Sequence, residues 1–64
     1  MKRSDFERHL RATGCQFERE GRRHSIWLNP ANGASAAVPR HSELKRNTIR
    51  RICQDLGVEK PPGL

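Results

Sequence analysis

Apolar residues are scarce in this sequence. Only 33% of its 64 residues are hydrophobic, and the mean hydropathy is −0.93. A chain of this size buries roughly 60% of the surface its unfolded form exposes, so it can build one modest core and no second domain. That leaves no room for a large enclosed organic cofactor, and no small-molecule cofactor is expected. No apolar run is long enough to span a bilayer, and the opening residues lack the pattern of a secretion signal. The cytoplasm is the expected address, with no membrane partner. Cysteine is nearly absent, too. Cys15 and Cys53 stand far apart with no Cys-x-x-Cys pair, and both are expected to pack as free thiols.

The common catalytic patterns are also missing. There is no glycine-rich phosphate loop, no evident carboxylate pair for metal-dependent hydrolysis, and no Ser-His-Asp or Cys-His arrangement imposed by spacing. Cys15, Cys53, His9, His24 and His41 match no familiar zinc-ligand spacing, so no metal is expected. No repeat or low-complexity segment is present. From His24 to Pro39 the chain carries no Asp, Glu, Lys or Arg, and its charge is confined to the segments on either side.

What the chain does have is arginine. Thirteen Lys and Arg against seven Asp and Glu give a net charge of +6, and only Lys2, Lys45 and Lys60 of the thirteen are not arginine. The planar guanidinium fork suits bidentate phosphate contacts better than an ammonium does. Nucleic acid is therefore the first partner class to consider, and an acidic protein surface the second.

Ser4-Asp-Phe-Glu7 has the form of a capping box, with Ser4 as N-cap of a first helix. Phe6 and Leu10 share a face of that helix, and Gly14 ends it. Cys15 to Glu20 alternates, with Cys15 and Phe17 on one side and Gln16, Glu18 and Glu20 on the other, as in a half-buried strand. Gly21-Arg22-Arg23 turns the chain into a second strand, where Ile26 and Leu28 are expected inside and Trp27 outside. His24 has the parity of Ile26, which aims it inward, yet as the first residue of the strand it can also lie at the rim. Asn29-Pro30 and Asn32-Gly33 mark a hairpin loop, and Ala34 to Val38 forms a third strand. Asn47 or Thr48 is placed to cap a second helix. Its stripe of Ile49, Ile52, Cys53 and Leu56 follows the i, i+3, i+4, i+7 rule, and Gly57 ends it. The domain is expected over residues 1–58, with 59–64 as a flexible tail because Pro61 and Pro62 bar further helix. The order predicts an α+β fold, a three-stranded antiparallel sheet with both helices on one face. Phe6, Leu10, Phe17, Ile26, Leu28, Val38, Ile49, Ile52 and Leu56 are expected to supply most of the core.

Two places carry candidate chemistry. His24 follows Arg22 and Arg23, which puts a ring that can exchange protons near neutral pH beside phosphate-binding cations. Arg40, Lys45, Arg46, Arg50 and Arg51 crowd the start of the second helix, whose free N–H groups and dipole also favour phosphate. His41 is the other acid–base candidate, but a Pro-Arg-His connector has an equally good structural explanation.

Three segments together resemble a family. Gly21-Arg-Arg-His-Ser-Ile-Trp-Leu-Asn-Pro30, Val38-Pro-Arg-His-Ser-Glu-Leu44 and Thr48-Ile-Arg-Arg-Ile-Cys-Gln-Asp-Leu-Gly57 are similar in kind and order to the HicA-type mRNA interferase toxins. The Lys2-Arg-Ser-Asp-Phe6 and Gly14-Cys-Gln-Phe17 runs also fit. The resemblance implies a fold like the double-stranded-RNA-binding domain. It also implies metal-independent cleavage of messenger RNA and restraint by a HicB-like antitoxin protein. The histidine that matches the family's functional one is His24. That histidine usually follows a Gly-Ser or Gly-Gly turn, and here Arg23 stands where the small residue would be. On this reading Arg22, Arg23, Arg40, Lys45, Arg46, Arg50 and Arg51 bind RNA, and Trp27 is available to the antitoxin. Two rivals use the same features: an RNA-binding module of the same fold without catalysis, and an adaptor for an acidic partner.

Overall fold

In the computed structural model, which describes residues 1–64, the order is α1 (Arg3–Ala12), β1 (Gln16–Glu20), β2 (His24–Asn29), β3 (Ala34–Pro39) and α2 (Arg46–Leu56). The strands form an antiparallel sheet in sequence order, β1-β2-β3. Both helices pack on one face of it, around Phe6, Leu10, Trp27, Val38, Ile49, Ile52 and Leu56. This is the expected α-β-β-β-α arrangement, two layers over one small core.

Helix α1 starts earlier than its capping box suggests. Lys2, not Ser4, is the N-cap, and no side chain caps the helix. Tertiary pairing replaces the cap. Arg3 N donates to Ser42 O (2.9 Å), Leu44 N donates to Met1 O (2.8 Å), and Lys2 forms a β-bridge with Glu43. The connector before α2 thus satisfies a donor at the first turn of α1 that a serine would otherwise serve. The cap of α2 is likewise backbone at Lys45, and neither Asn47 nor Thr48 serves it. Both helices end as expected, through glycine. After α2, Gly57 takes φ +71, and Val58 N reaches back to Cys53 O (3.0 Å). A side chain at Gly57 would also meet Asn32 Nδ2 at 2.7 Å, so space and backbone both demand glycine there.

The stripe on α2 is buried as its spacing predicts: Ile49, Ile52, Cys53 and Leu56 are each 1% exposed or less. Burial pushes the Cys53 thiol up, with Cys15 adding to the shift, and both thiols are free.

The face assignment of β2 is the reverse of the expected one. Ser25, Trp27 and Asn29 face the helices and are buried, while Ile26 and Leu28 lie half-buried on the outer face. Trp27 is 1% exposed, set edge-on to Phe17 (6.2 Å) with the Arg11 guanidinium 5.2 Å from its ring centre. It brings more apolar area to the core than either aliphatic neighbour, and the two polar residues sharing its face are satisfied by hydrogen bonds. Ser25 Oγ donates to Glu20 Oε1, and Asn29 Nδ2 donates to Leu56 O (2.8 Å). Trp27 is therefore not available to a partner. Phe17 stays on the inner side of edge strand β1 but remains 49% exposed.

β1 departs from strict alternation as well. Phe17 pairs with Trp27 and Arg19 with Ile26, so a bulge at residue 18 shifts the register. The shift brings Glu20 opposite the inward-facing Ser25, whereas Gln16 stands opposite the outward-facing Leu28. Gln16 and Glu20, expected on one side, lie on opposite sides. Beyond Val58, the residues read as a tail lie against the body. His9 Nε2 donates to Glu59 O (2.7 Å), Pro61 is buried, and Leu64 packs on the core.

Candidate functional site

At one end of the sheet, the β1–β2 turn stands beside the chain leaving β3. The register makes this so, because His24, first in β2, pairs with Pro39, last in β3. Whatever follows Pro39 must pass the turn. Arg22, Arg23, His24, Pro39, Arg40 and His41 line one open depression there.

The turn itself is tightly built. Gly21 N donates to His24 O (2.7 Å), and a Cβ on residue 21 would lie only 2.9 Å from that oxygen. Glycine is needed here for close approach, since its φ lies outside the left-handed region. Arg40 then closes the turn from the β3 side. One of its terminal nitrogens donates to Gly21 O (3.0 Å) and pairs with Glu20 Oε2 (3.4 Å), and the other donates to Arg22 O (2.7 Å). Glu20 in turn accepts from Ser25 through its second oxygen. A chain of contacts thus runs from the buried Ser25 through Glu20 to Arg40 and the turn carbonyls.

His24 is exposed, and its parity with Ile26 and Leu28 puts it on the outer face, away from the helices. Of the two placements the sequence left open, the rim is the one found. Arg22 and Arg23 are exposed at the tip of the turn. Arg40 shares the depression, but its guanidinium is turned to the backbone carbonyls. An adjoining depression shares Pro39 and His41 and adds Lys45 and Thr48 from the start of α2. Glu43 also lines it, with its carboxylate 3.3 Å from the N-terminal ammonium. Arg46, Arg50 and Arg51 are exposed on α2 and line neither depression.

The seven cations expected to bind RNA therefore divide into Arg22 and Arg23 beside His24, Arg40 clamping the turn, Lys45 next door, and three helix arginines outside. Sequence reasoning missed that His41 belongs to the same depression as His24. The signal was the antiparallel pairing of β2 with β3, which returns residues 40 and 41 to the start of β2. It also missed the Ser25–Glu20 support, which depends on the bulge.

No cluster of three or more His, Cys, Asp or Glu side chains forms anywhere in the molecule. What the depression offers is two imidazoles and guanidinium groups on an open surface, a setting for proton transfer at a bound phosphate.

The model of the family described as HicA toxin of bacterial toxin-antitoxin matches residues 3–58, nearly the whole chain. The chain belongs to the HicA toxin family. It is thus the toxin of a toxin–antitoxin system, and HicA toxins are generally ribonucleases. The match spans both depressions, both hairpins and both helices. No curated protein and no solved structure matches the chain. No helix of this HicA-family chain is long and apolar enough to cross a membrane.

Proposed function

We propose that this chain is a metal-independent endoribonuclease acting on messenger RNA, with His24 as an acid–base group at the scissile phosphate. The observation that carries the proposal is an exposed imidazole on the sheet rim, sharing one depression with Arg22, Arg23 and Arg40. Cleavage proceeds by attack of a ribose 2′-oxygen on the adjacent phosphorus. The 2′-OH gives up its proton, the new P–O2′ bond forms, and the P–O5′ bond breaks as the 5′-oxygen takes up a proton. The products are a 2′,3′-cyclic phosphate and a 5′-hydroxyl. His24 moves one of those two protons. Arg22 and Arg23 offset the charge that gathers on the non-bridging oxygens. Lys45, Arg46, Arg50 and Arg51 hold flanking phosphates.

A HicB-like antitoxin fits the same reading. A net charge of +6 favours rapid encounter with an acidic partner, and a partner seated on the depression covers His24 and displaces RNA. Arg22, Arg23 and Lys45 are the contacts to expect, since Trp27 is enclosed in the core.

Cleavage of a messenger RNA in EDTA by the wild type and by His24→Ala tests the proposal. The variant is expected to melt like the wild type and to cleave about 10²- to 10⁴-fold more slowly. Undiminished cleavage by His24→Ala removes His24 from the chemistry. RNA binding by the wild type without any cleavage makes the chain a binding module of the same fold, as its basic surface alone would serve.

A further inference from the structure

The three histidines differ in what the fold asks of them. His9 is committed to structure: its Nε2 is bonded to Glu59 O at 2.7 Å, and its ring stacks near Phe6 with centroids 6.4 Å apart. The imidazoles of His24 and His41 make no hydrogen bond or ion pair within the chain, and both residues are exposed. Yet the pairing of His24 with Pro39 brings these two free imidazoles to the wall of a single depression. Cleavage by 2′-oxygen attack moves two protons, one off the nucleophile and one onto the leaving group. One imidazole in its resting state can serve only one of them at a time.

We propose that His41 is the second catalytic residue, handling whichever of the two protons His24 does not. The inference rests on the ribonuclease reading above. It assigns one imidazole to withdraw the 2′-OH proton and the other to protonate the 5′-oxygen as the P–O5′ bond breaks. The turn supplies Arg22 and Arg23 on one side of His41. Its own connector supplies Arg40, Ser42, Glu43 and Lys45, and α2 supplies Thr48. Glu43, the carboxylate lining the adjoining depression, is paired with the N-terminal ammonium. The surroundings of His41 are thus mainly cationic, suited to a phosphate brought between the rings.

The experiment compares wild type, His24→Gln and His41→Gln on two short RNAs. One is ordinary, and the other carries sulfur in place of the 5′-oxygen at a single linkage. A thiolate leaves without being protonated, so the sulfur substrate bypasses the general acid but still needs the base. On ordinary RNA, His41→Gln is expected to lower kcat by about 10²-fold or more while binding a 2′-deoxy, uncleavable analogue within about twofold of wild type. On the sulfur substrate one of the two variants is expected to recover to near wild-type rate and the other to stay slow. The wild-type pH profile of kcat/KM is expected to have two limbs, of which each variant loses one. Wild-type kcat in His41→Gln overturns the assignment and leaves the His24 reading standing. Identical responses of the two variants to sulfur also overturn it. A loss confined to binding makes His41 a phosphate contact only. If the wild type cleaves neither RNA, the ribonuclease reading itself falls, and this inference falls with it.

Discussion

At the end of the sheet where β2 turns into β3, neutral amides hold the chain; at the other end a guanidinium does. Asn29 and Asn32 both donate to Leu56 O (2.8 and 3.1 Å), so the loop serves the carbonyl end of α2. Their own oxygens accept from Ala31 N and Ala34 N, which fixes the loop internally. Asn29 is 5% exposed, and no charged residue lies between His24 and Pro39. The β1–β2 end is the opposite case. Its carbonyls, at Gly21 and Arg22, accept from Arg40, and its side chains are left pointing outward with their charge. Both ends solve the same kind of backbone problem, that of pairing carbonyls: the last one of α2 at the loop end, those of the turn at the other. Solving it with buried asparagine builds stability, whereas solving it with a partly exposed arginine builds a cationic surface that a phosphate can reach. The difference separates the part of the molecule that holds the fold from the part to which the proposed function assigns the substrate.

Asn29→Ala tests that separation with the largest effect on stability. It leaves Leu56 O with Asn32 as its one side-chain donor and strips Ala31 N of its acceptor, at a cost of about 1–3 kcal/mol. Chemical denaturation is expected to show that loss, while RNA cleavage per folded molecule stays at the wild-type rate. Cleavage falling in parallel would mean that the two ends are coupled and the comparison is wrong.

Arg40→Ala is expected to do the reverse. Its ion pair with Glu20 is part-exposed, 34% and 57% for the two side chains, and such pairs contribute at most about 1 kcal/mol. Its donors nonetheless set the turn that carries Arg22, Arg23 and His24, and a misplaced catalytic group costs rate more than stability. A fall of about tenfold in kcat is expected, with the melting curve little changed. Arg40→Lys sharpens the point, because an ammonium keeps the charge but cannot fork between two carbonyls. Full activity in Arg40→Lys would show that charge alone matters there.

The helix-packing stripe was legible in the sequence because Ile49, Ile52, Cys53 and Leu56 have no second way to be buried on one helix. Gly14 and Gly57 marked the helix ends for equally local reasons. The face of β2 was not legible. Alternation divides a strand into two faces without saying which one meets the helices, and Ser25 and Asn29 made Trp27's face look polar. Only the carbonyl of Leu56, 27 residues beyond Asn29, explains why an asparagine is buried there. The early start of α1 was hidden in the same way, since its partner is Ser42. At the site, His24 and its arginines stood out from neighbours in sequence. His41 joined them only through strand register, a non-local fact.

The smallest effect expected separates cations within the charged end from those along α2. Arg22 lines the depression, and Arg50 is exposed on α2 outside it. Each neutralised phosphate on a single strand contributes about −0.7 to the slope of log affinity against log salt. Arg50→Ala is expected to flatten that slope by about one such contact and weaken all RNA sequences alike, with kcat unchanged. Arg22→Ala should flatten it similarly but also lower kcat, because the proposed function puts its charge where the transition state forms rather than where the strand merely rests. Binding titrations at several salt concentrations, run beside single-turnover cleavage, distinguish the two. A salt slope that Arg50→Ala leaves untouched would take α2 out of the RNA path. The cationic surface would then shrink to the depression alone, and Arg46 and Arg51 would be solvated charges with no part in binding.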